Sequence, residues 1–442
     1  MTFHPQNNKQ AYLAYGLGLI TDPEALPAPR TNEEVLLKEL CVNGMGADVT
    51  ITDGSYLFYD DIRIDHFDEI VEILGKLESA RYMFYSTSFT EFDLGQLDFA
   101  DGANFNYCFG ESISLKKLTN GDRKPLRSNN FFYFARGCRA LEEVDFPFVI
   151  LMKEGERTET TNMFSSSLIK DVQIDFEFEG TPQWIDLSSM FSSCSKLETC
   201  PIDFSKLPKD KNVGLGSTFG GCTQMAGSVD LCGVPITNSG SSSGEIQSTF
   251  SSCKNVEEIL NINPATNIYG NNFFPTGSLS PSRAKLRRVT FVDGCKGTLR
   301  YVDLRNCSFM RDGMVEFFNT MPGPNGTSNT ITITGNPCVV GGTALTAQTS
   351  YTRYYDYDSL RAAAEERYIC FDYQDAPVMY YLNSAGSSSA VEATFSAITP
   401  EMFDGDTVRV KFLADTITAP EGTQLTDEDR LIATNKGFVL VE

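Results

Sequence analysis

The chain has 442 residues, of which 41% are hydrophobic and 12% aromatic, and its formal net charge is −22. This composition predicts a folded chain with a sizeable core and excludes wholesale disorder. The negative charge disfavours nucleic acid as a partner, because phosphate binding needs a positive field. No apolar run reaches the length that crosses a bilayer, so we predict no membrane insertion.

The amino-terminal stretch MTFHPQNNKQAYLAYGLGLI lacks a charged start, a long apolar centre and a small-residue cleavage site. We therefore expect synthesis in a cytoplasm, with reduced cysteines. After Pro27 and Pro29, a helix is predicted with Thr31 as its cap and Glu34 as capping-box partner. A second helix is predicted in HFDEIVEILGKLE, whose apolar face comprises Phe67, Ile70, Val71, Leu74 and Leu77.

The middle of the sequence repeats a short motif. An aromatic or small opener is followed three positions later by a small residue, usually cysteine, and then by an apolar residue. The openers are Phe84, Ala135, Phe164, Phe191, Phe219 and Phe250, and the segment around Phe105 and Cys108 fills the first gap. From Ala135 onward the openers are 27 to 31 residues apart. The units at Phe84 and Phe164 lack the cysteine. This period indicates stacked units that share one core.

An alternating apolar pair follows in each unit, such as Val144 and Phe146 or Cys200 and Ile202. Such a pair predicts a short strand with one buried face, and stacked units would align these strands as a parallel ladder. The preceding segment is predicted to be a turn or a short helix. The recurring cysteines are interpreted as small core side chains, and disulfides between coils are the alternative in an oxidising exterior. They are Cys138, Cys194, Cys222 and Cys253, with Cys295 a looser match.

Units of the MFSSCSKLETCPIDF type, over about residues 80–340, resemble the BspA-like leucine-rich repeats. That family occurs in bacterial surface proteins and in proteins of phages that infect gut bacteria. In LRYVDLRNC, the template L-x-x-L-x-L-x-x-C is matched by Leu299, Val302, Leu304 and Cys307. The resemblance implies an α/β repeat solenoid with a parallel β-ladder, a helical N-terminal cap and a small C-terminal α/β cap.

The predicted organisation has four parts. They are an attachment or entry segment (1–45), an N-terminal cap (46–80), the repeat solenoid (81–340) and a C-terminal region (341–442) of further repeats, a β insertion and a cap. A strand is predicted in TITITGNPC, which ends at Cys338, and another in VRVKFLA of the insertion. The units that start at Tyr357 and Leu425 are each predicted to form a helix and then a strand.

Candidate chemistry is sparse. His4 and His66 are the only histidines, and neither has the partner spacing of a nucleophilic centre. No cysteines form a C-x-x-C pair, so zinc is not expected. Two basic clusters are interpreted as solvated or interface-facing charge: Lys116, Lys117, Arg123, Lys124 and Arg127, then Arg283, Lys285, Arg287 and Arg288. We therefore predict no catalytic, cofactor-binding or metal-binding residues, and no cofactor.

The resemblance predicts a non-enzymatic structural protein of a bacteriophage virion: a tail, baseplate, fibre or head-decoration component. Segment 1–45 would attach it to other virion proteins, or else seal the first coil. Several copies or a homo-oligomer are expected in the particle. The ladder and residues 341–424 would contact neighbouring proteins, a host glycan or a host protein. The alternatives are a bacterial surface adhesin, which needs an export signal, and a polysaccharide-degrading enzyme, which would release reducing ends.

Overall fold

The computed structural model describes residues 51–61 and 74–339 except 240–243, 278–283 and 327–328, five strands between 343 and 418, and residues 424–442. It also describes four single residues, Ala28, Lys38, Phe67 and Val71. The chain forms two compact units, one of residues 1–225 with 234–250 and one of residues 226–233 with 251–442. Both contain coils whose strands pair in parallel, and the chain is a parallel β-solenoid of about ten turns.

Most strands have two to six residues. Those before residue 240 are β1 (Ile51–Asp53), β2 (Leu74–Ser79), β3 (Glu91–Asp93), β4 (Phe99–Asn104), β5 (Lys117–Thr119), β6 (Leu126–Ser128), β7 (Glu143–Val144), β8 (Phe148–Met152), β9 (Arg157–Glu159), β10 (Ile174–Phe178), β11 (Trp184–Asp186), β12 (Val213–Gly214), β13 (Ala226–Asp230) and β14 (Pro235–Thr237). Those after it are β15 (Asn255–Pro264), β16 (Ile268–Tyr269), β17 (Arg288–Phe291), β18 (Leu299–Arg300), β19 (Val302–Asp303), β20 (Thr330–Thr332), β21 (Thr343–Thr346), β22 (Thr352–Tyr354), β23 (Tyr368–Tyr373), β24 (Ala376–Tyr380), β25 (Val408–Thr418) and β26 (Val439–Val441). The helices that are described over their full length are α1 (Gly270–Phe273), α2 (Arg311–Thr320) and α3 (Asp427–Asn435), with 3-10 turns at Leu94–Gln96 and Phe204–Lys206.

In the first unit, parallel pairing joins equivalent segments of successive coils. Its sheets are β1-β2-β4, β3-β5-β7, β6-β8-β10 and β9-β11-β12-β14. The longest uninterrupted pairing in these sheets joins β10 to β8, from Ile174 opposite Phe148 to Phe178 opposite Met152. No coil can bury its own apolar face, so stacking builds the shared core. The predicted parallel ladder is confirmed.

Each coil of the first unit turns through a six-residue corner. The second and sixth corner residues have positive φ, in the pairs Tyr56 and Asp60, Tyr82 and Ser86, Tyr107 and Glu111, Tyr133 and Gly137, Asn162 and Ser166, Ser189 and Ser193, and Ser217 and Gly221. Alternate corner amides donate to the next coil, as from Phe58 to the Met83 carbonyl at 2.9 Å and from Phe84 to the Cys108 carbonyl at 2.8 Å. The corners therefore continue the hydrogen bonding between coils, and the predicted turn is confirmed.

The fourth corner residue fills the core with a stacked phenylalanine. Ring centroids lie 5.4 Å apart for Phe58 and Phe84 and 5.1 Å apart for Phe84 and Phe109. A second run joins Phe164, Phe191, Phe219 and Phe250 at 5.6 to 6.1 Å. All of these rings are fully buried. Ala135 interrupts the stack, and the ring of Phe148 lies 5.4 Å from Phe164 in that coil.

The second unit contains the sheets β13-β15-β17, β16-β18 and β19-β20-β26, all parallel. Helix α2 packs on β17 and buries Met314, Phe317 and Phe318. Helix α3 and β26 confirm the helix and strand predicted from Leu425. Strands β21 to β25 form an antiparallel sheet, and β25 contains the strand predicted in VRVKFLA. The helix predicted just after Tyr357 lies outside the described residues.

The predicted helical N-terminal cap is not supported. Leu74 and Leu77, predicted to lie in an amphipathic helix, lie in β2, and the ladder includes β1 and β2, which precede its predicted start at residue 81. Phe67 and Val71 are helical, so the helical pattern ends before Leu74. Pairing of β2 with β1 and β4 overrides that pattern, because strand formation depends on neighbours that are distant in sequence. The helix predicted after Thr31 lies outside the described residues, apart from the helical Lys38.

The strand predicted around Cys200 and Ile202 is wrong, because residues 197–203 contain no regular strand. The LRYVDLRNC segment forms β18 and β19, which are separated by Tyr301 at φ 50°. Leu299, Val302, Leu304 and Cys307 are all buried there. The coils therefore have the predicted apolar interior, while their leucine-rich type stays a prediction.

Candidate functional site

Six tyrosines lie side by side on the corners of the first four coils that the structure describes. The tyrosine row consists of Tyr56, Tyr59, Tyr82, Tyr85, Tyr107 and Tyr133. The four at the second corner position stack in chain order, with centroid distances of 4.8, 4.4 and 4.8 Å. The two at the fifth corner position stack at 5.2 Å. Tilted contacts of 5.4 to 5.7 Å join the two sets into one aromatic surface.

The tyrosine row is partly open to solvent. The side chains of Tyr56 and Tyr59 are 41% and 42% exposed, and the other four are half-buried. Because neighbouring rings cover one another's faces, the row presents mainly ring edges and phenolic hydroxyls. The row is therefore a rigid strip of amphipathic groups at nearly constant spacing.

The corner backbone does not favour tyrosine. Tyr56, Tyr82, Tyr107 and Tyr133 have φ of 56° to 61°, a left-handed conformation that costs a bulky residue about 1–2 kcal/mol. Equivalent positions in later coils hold Asn162, Ser189 and Ser217, with φ of 54° to 57°. Small polar residues therefore suffice for the corner. The tyrosines are an addition that the fold itself does not require, and we take them as the candidate recognition surface.

Charged side chains of both signs border the tyrosine row. The Arg81 Cζ lies 5.3 Å from the Tyr82 ring centre, and the Arg136 Cζ lies 4.8 Å from that of Tyr133. Arg136 also lies 3.5 Å from a carboxylate oxygen of Glu111. Asp60 accepts a hydrogen bond of 3.0 Å from the Ser86 hydroxyl. The two cations and two anions balance, so the surface carries no strong field of one sign.

Alkaline titration tests the packing of the row. Burial, helped by the neighbouring Tyr82, raises the pKa of Tyr107 from 10.0 to about 12, and burial also raises the pKa of Tyr85. The neutral phenol therefore stabilises the fold fully below pH 10, and that contribution is lost between pH 10 and about 12. We expect tyrosine absorbance near 295 nm to show a late-titrating phase that is smaller in Tyr107→Phe. Uniform titration near pH 10 would contradict the stacked arrangement.

The residue three positions after the corner phenylalanine, here called the donor position, explains the recurring cysteines. The Cys138, Cys194 and Cys222 thiols donate to the carbonyls of Phe109, Phe164 and Phe191 in the preceding coil, at 3.0 to 3.1 Å. Thr87, Ser112 and Ser167 occupy the donor position in other coils, and the Ser112 hydroxyl donates to the Phe84 carbonyl at 2.8 Å. Burial raises the pKa of Cys138 and Cys194 to about 12. The donor position therefore holds a small buried donor. The core interpretation agrees with the structure for the recurring cysteines, which include Cys253, but not for Cys295, which is only half-buried.

Two substitutions at Cys194 separate the contribution of side-chain volume to stability from that of the hydrogen bond. Cys194→Ser keeps the donor, as Ser112 and Ser167 do, and should change the free energy of unfolding by less than about 1 kcal/mol. Cys194→Ala removes both the donor and the sulfur volume, and should cost about 1–2 kcal/mol. Urea denaturation of both variants measures the difference. Equal losses would show that the hydrogen bond contributes nothing.

Two members of the first basic cluster, Lys117 and Arg127, are paired with carboxylates of other coils. Lys117 lies 2.5 Å from Glu143. Arg127 bridges Asp101 at 2.7 Å and Glu177 at 2.6 Å. The pKa of Arg127 is raised by its bonds to Glu177 and Asp101. These pairs join coils of the same chain, and the interpretation of the cluster as solvated or interface-facing charge stays a prediction.

The second basic cluster shows the same arrangement. Arg287 lies 3.2 Å from Glu257 and 3.1 Å from Glu258. Arg288 forms a two-pronged contact of 2.7 Å with Glu316. Arg283 lies outside the described residues.

A cleft of about 360 Å³ on the first unit is a second location with charged groups. Lys170 lies 2.7 Å from Glu142 there and lowers the pKa of that carboxyl. The Arg123 Nε donates to the Asp145 carbonyl at 2.7 Å. These contacts tie adjacent coils together, so the cleft is weaker than the tyrosine row as a candidate site.

Other sequence candidates are not brought together. His4 and His66 lie outside the described residues. Within the ranges that the structure describes, no group of three or more His, Cys, Asp or Glu side chains is placed to hold a metal ion. In the same ranges no helix combines the length and the apolar character needed to cross a membrane.

The tyrosine row was missed at the sequence level. Tyr56, Tyr82, Tyr107 and Tyr133 recur at steps of 25 to 26 residues, in SYLFYD, RYMFYS, NYCFGE and FYFARG. The signal is hard to recognise because residues 46–80 are predicted to be a cap, so the first corner is not counted as part of the repeat. The tyrosine that recurs two positions before the core residue of each of these corners is the feature from which the row could be predicted.

No family model, curated protein or solved structure matches the chain. The geometry defines its class, a parallel β-solenoid with few helices. The resemblance to BspA-like repeats rests on the sequence motifs and stays a prediction.

Proposed function

We propose that the protein is a non-enzymatic structural protein of a bacteriophage particle, which presents a rigid repeat surface to a host-surface molecule or to other virion proteins. The tyrosine row carries this proposal, because four coils retain tyrosine at left-handed positions where later coils have Asn or Ser. The motif resemblance supplies the phage setting. Segment 1–45 is proposed as the attachment to the particle, which would hold several copies.

The row has the physical properties of a binding surface. Tyrosine is enriched at interfaces because it combines apolar area with a hydroxyl and loses little conformational entropy. Stacking and the hydrogen bonds between corners hold these rings in place before a partner arrives, which lowers the entropic cost of binding. Binding energy alone accounts for such a surface, without a chemical step.

The test is the location of the protein in its source. Density-gradient-purified phage particles should contain the full chain by mass spectrometry, and gold-labelled antibodies should mark it at one position on the particle. Absence from particles, with presence in the envelope of uninfected cells, would overturn the proposal in favour of an adhesin. Release of reducing ends from capsular polysaccharide by the purified chain would overturn it in favour of an enzyme.

A further inference from the structure

We propose that the tyrosine row binds an extended, uncharged polysaccharide strand that lies along the ladder and crosses the first four corners. This inference rests on the proposed function and names the partner of its surface. It follows from the spacing of the rings, from the groups that they present and from the charge around them.

Spacing is the first argument. Tyr56, Tyr82, Tyr107 and Tyr133 repeat at 4.4 to 4.8 Å, because each corner follows the separation between neighbouring coils. An extended chain of β-1,4-linked pyranoses repeats one sugar at a slightly longer distance than this. The offset between sugars and rings grows along the chain, but it stays below one ring spacing over four tyrosines. A polymer with a regular short repeat fits this row better than an irregular surface does.

The exposed groups are the second argument. Phenolic hydroxyls both donate and accept hydrogen bonds, and so do sugar hydroxyls. Ring edges beside them offer apolar contact to the C–H groups of the pyranose. The stacked rings leave no slot between Tyr82 and Tyr107, whose centres are 4.4 Å apart, so a peptide cannot insert a side chain there. These features favour a glycan over a peptide.

Charge is the third argument. The whole chain carries −22, which repels polyanions at long range. Next to the row, Arg81 and Arg136 are balanced by Asp60 and Glu111. The surface therefore offers no net positive field to a uronate or phosphate polymer. An uncharged polysaccharide is the ligand class that this balance fits.

The experiment measures binding of the full chain to soluble polysaccharides by affinity electrophoresis and calorimetry. The probes are β-1,4-linked xylan, mannan and chitin oligosaccharides of increasing length, with alginate as the anionic comparison. We expect one or more of the uncharged probes to bind, with affinity rising until about four sugars are covered. The double variant Tyr82→Ser with Tyr107→Ser should weaken binding about tenfold or more. It should still fold, because Ser189 and Ser217 occupy the same backbone position.

A gain-of-function variant supplies the matched control. Asn162→Tyr places a fifth ring on the coil next to Tyr133 and should tighten binding about fivefold. Ser189→Tyr makes a similar change one coil farther away, where Asn162 separates it from the row, and should leave affinity unchanged. Equal gains from both variants would overturn the proposed position of the strand.

The outcomes also separate this proposal from the proposed function. Failure of every uncharged probe to bind overturns the glycan proposal, as does binding to alginate alone or undiminished binding by the folded double variant. Capture of a purified virion protein through the row would replace the glycan with a protein partner. In all of these cases the protein can still be found in particles. Its absence from particles would instead overturn the phage role, whatever the glycan result.

Discussion

Phe191→Ala is expected to lower the free energy of unfolding by about 3–5 kcal/mol. The Phe191 ring is fully buried and stacks between Phe164 at 5.9 Å and Phe219 at 6.1 Å. Its removal takes away apolar burial and leaves a cavity between the rings of the two neighbouring coils. The hydrogen bonds between corners hold those coils at a fixed separation, so collapse of the cavity is limited.

Urea denaturation monitored by circular dichroism measures this loss. Phe178→Ala is the matched control, because its side chain is 45% exposed on β10 and should change stability by about 0.5 kcal/mol or less. Similar losses from the two variants would mean that the phenylalanine stack is not the core. Among the described corners of the first unit, Ala135 is the one core position without a phenylalanine, and in its coil the ring of Phe148, from β8, packs beside Phe164 instead.

Asp429→Asn is expected to destabilise the last coil by about 2 kcal/mol. Asp429 accepts from the Arg311 guanidinium at 2.7 and 3.2 Å, and it completes the capping box of α3 with Thr426. Hydrogen exchange over residues 424–442 is the suitable measurement, because terminal repeats open locally. Asp427→Asn is the control, since Asp427 lies in the same first turn but is fully exposed. Equal increases in exchange from both variants would contradict a special role for Asp429.

Acid should reproduce the effect of that substitution. The bond from Arg311 lowers the pKa of Asp429 from 3.8 to about 2, so the native state favours the carboxylate. Its contribution is complete above about pH 4 and is lost as the pH falls toward 2. Exchange from residues 424–442 should rise over this interval in the natural chain, with a much smaller rise in Asp429→Asn. An equal acid response in the variant would remove Asp429 as the cause.

The local sequence pattern was sufficient to predict the repeated core. The openers Phe164, Phe191 and Phe219 recur with one period, and all three stack in the interior. The final helix can be predicted equally well from sequence, because Thr426 and Asp429 form a capping box within four residues. The amino-terminal boundary of the ladder cannot be predicted in this way. Leu74 and Leu77 fit one face of a helix, and only pairing of β2 with β1 and β4 makes them part of a strand.

The candidate site depends on register between coils, which the sequence contains only implicitly. Tyr82 and Tyr107 are 25 positions apart, and their stacking follows from the pairing of the Phe84 amide with the Cys108 carbonyl. The donor position was obscured for a different reason. Cysteine is not the only residue at this position, because Ser112 and Ser167 also provide a small buried donor there.

The constant corner has a practical consequence for engineering. Successive corners of the first unit start 25 to 29 residues apart, yet all retain the same pair of positive-φ residues, so differences in coil length are absorbed elsewhere in each coil. The exposed turn at Lys209 and Asp210 is one such place. Foreign peptides grafted into that turn should be displayed at a fixed height along the molecule, without disturbing the aromatic interior of the coils above and below.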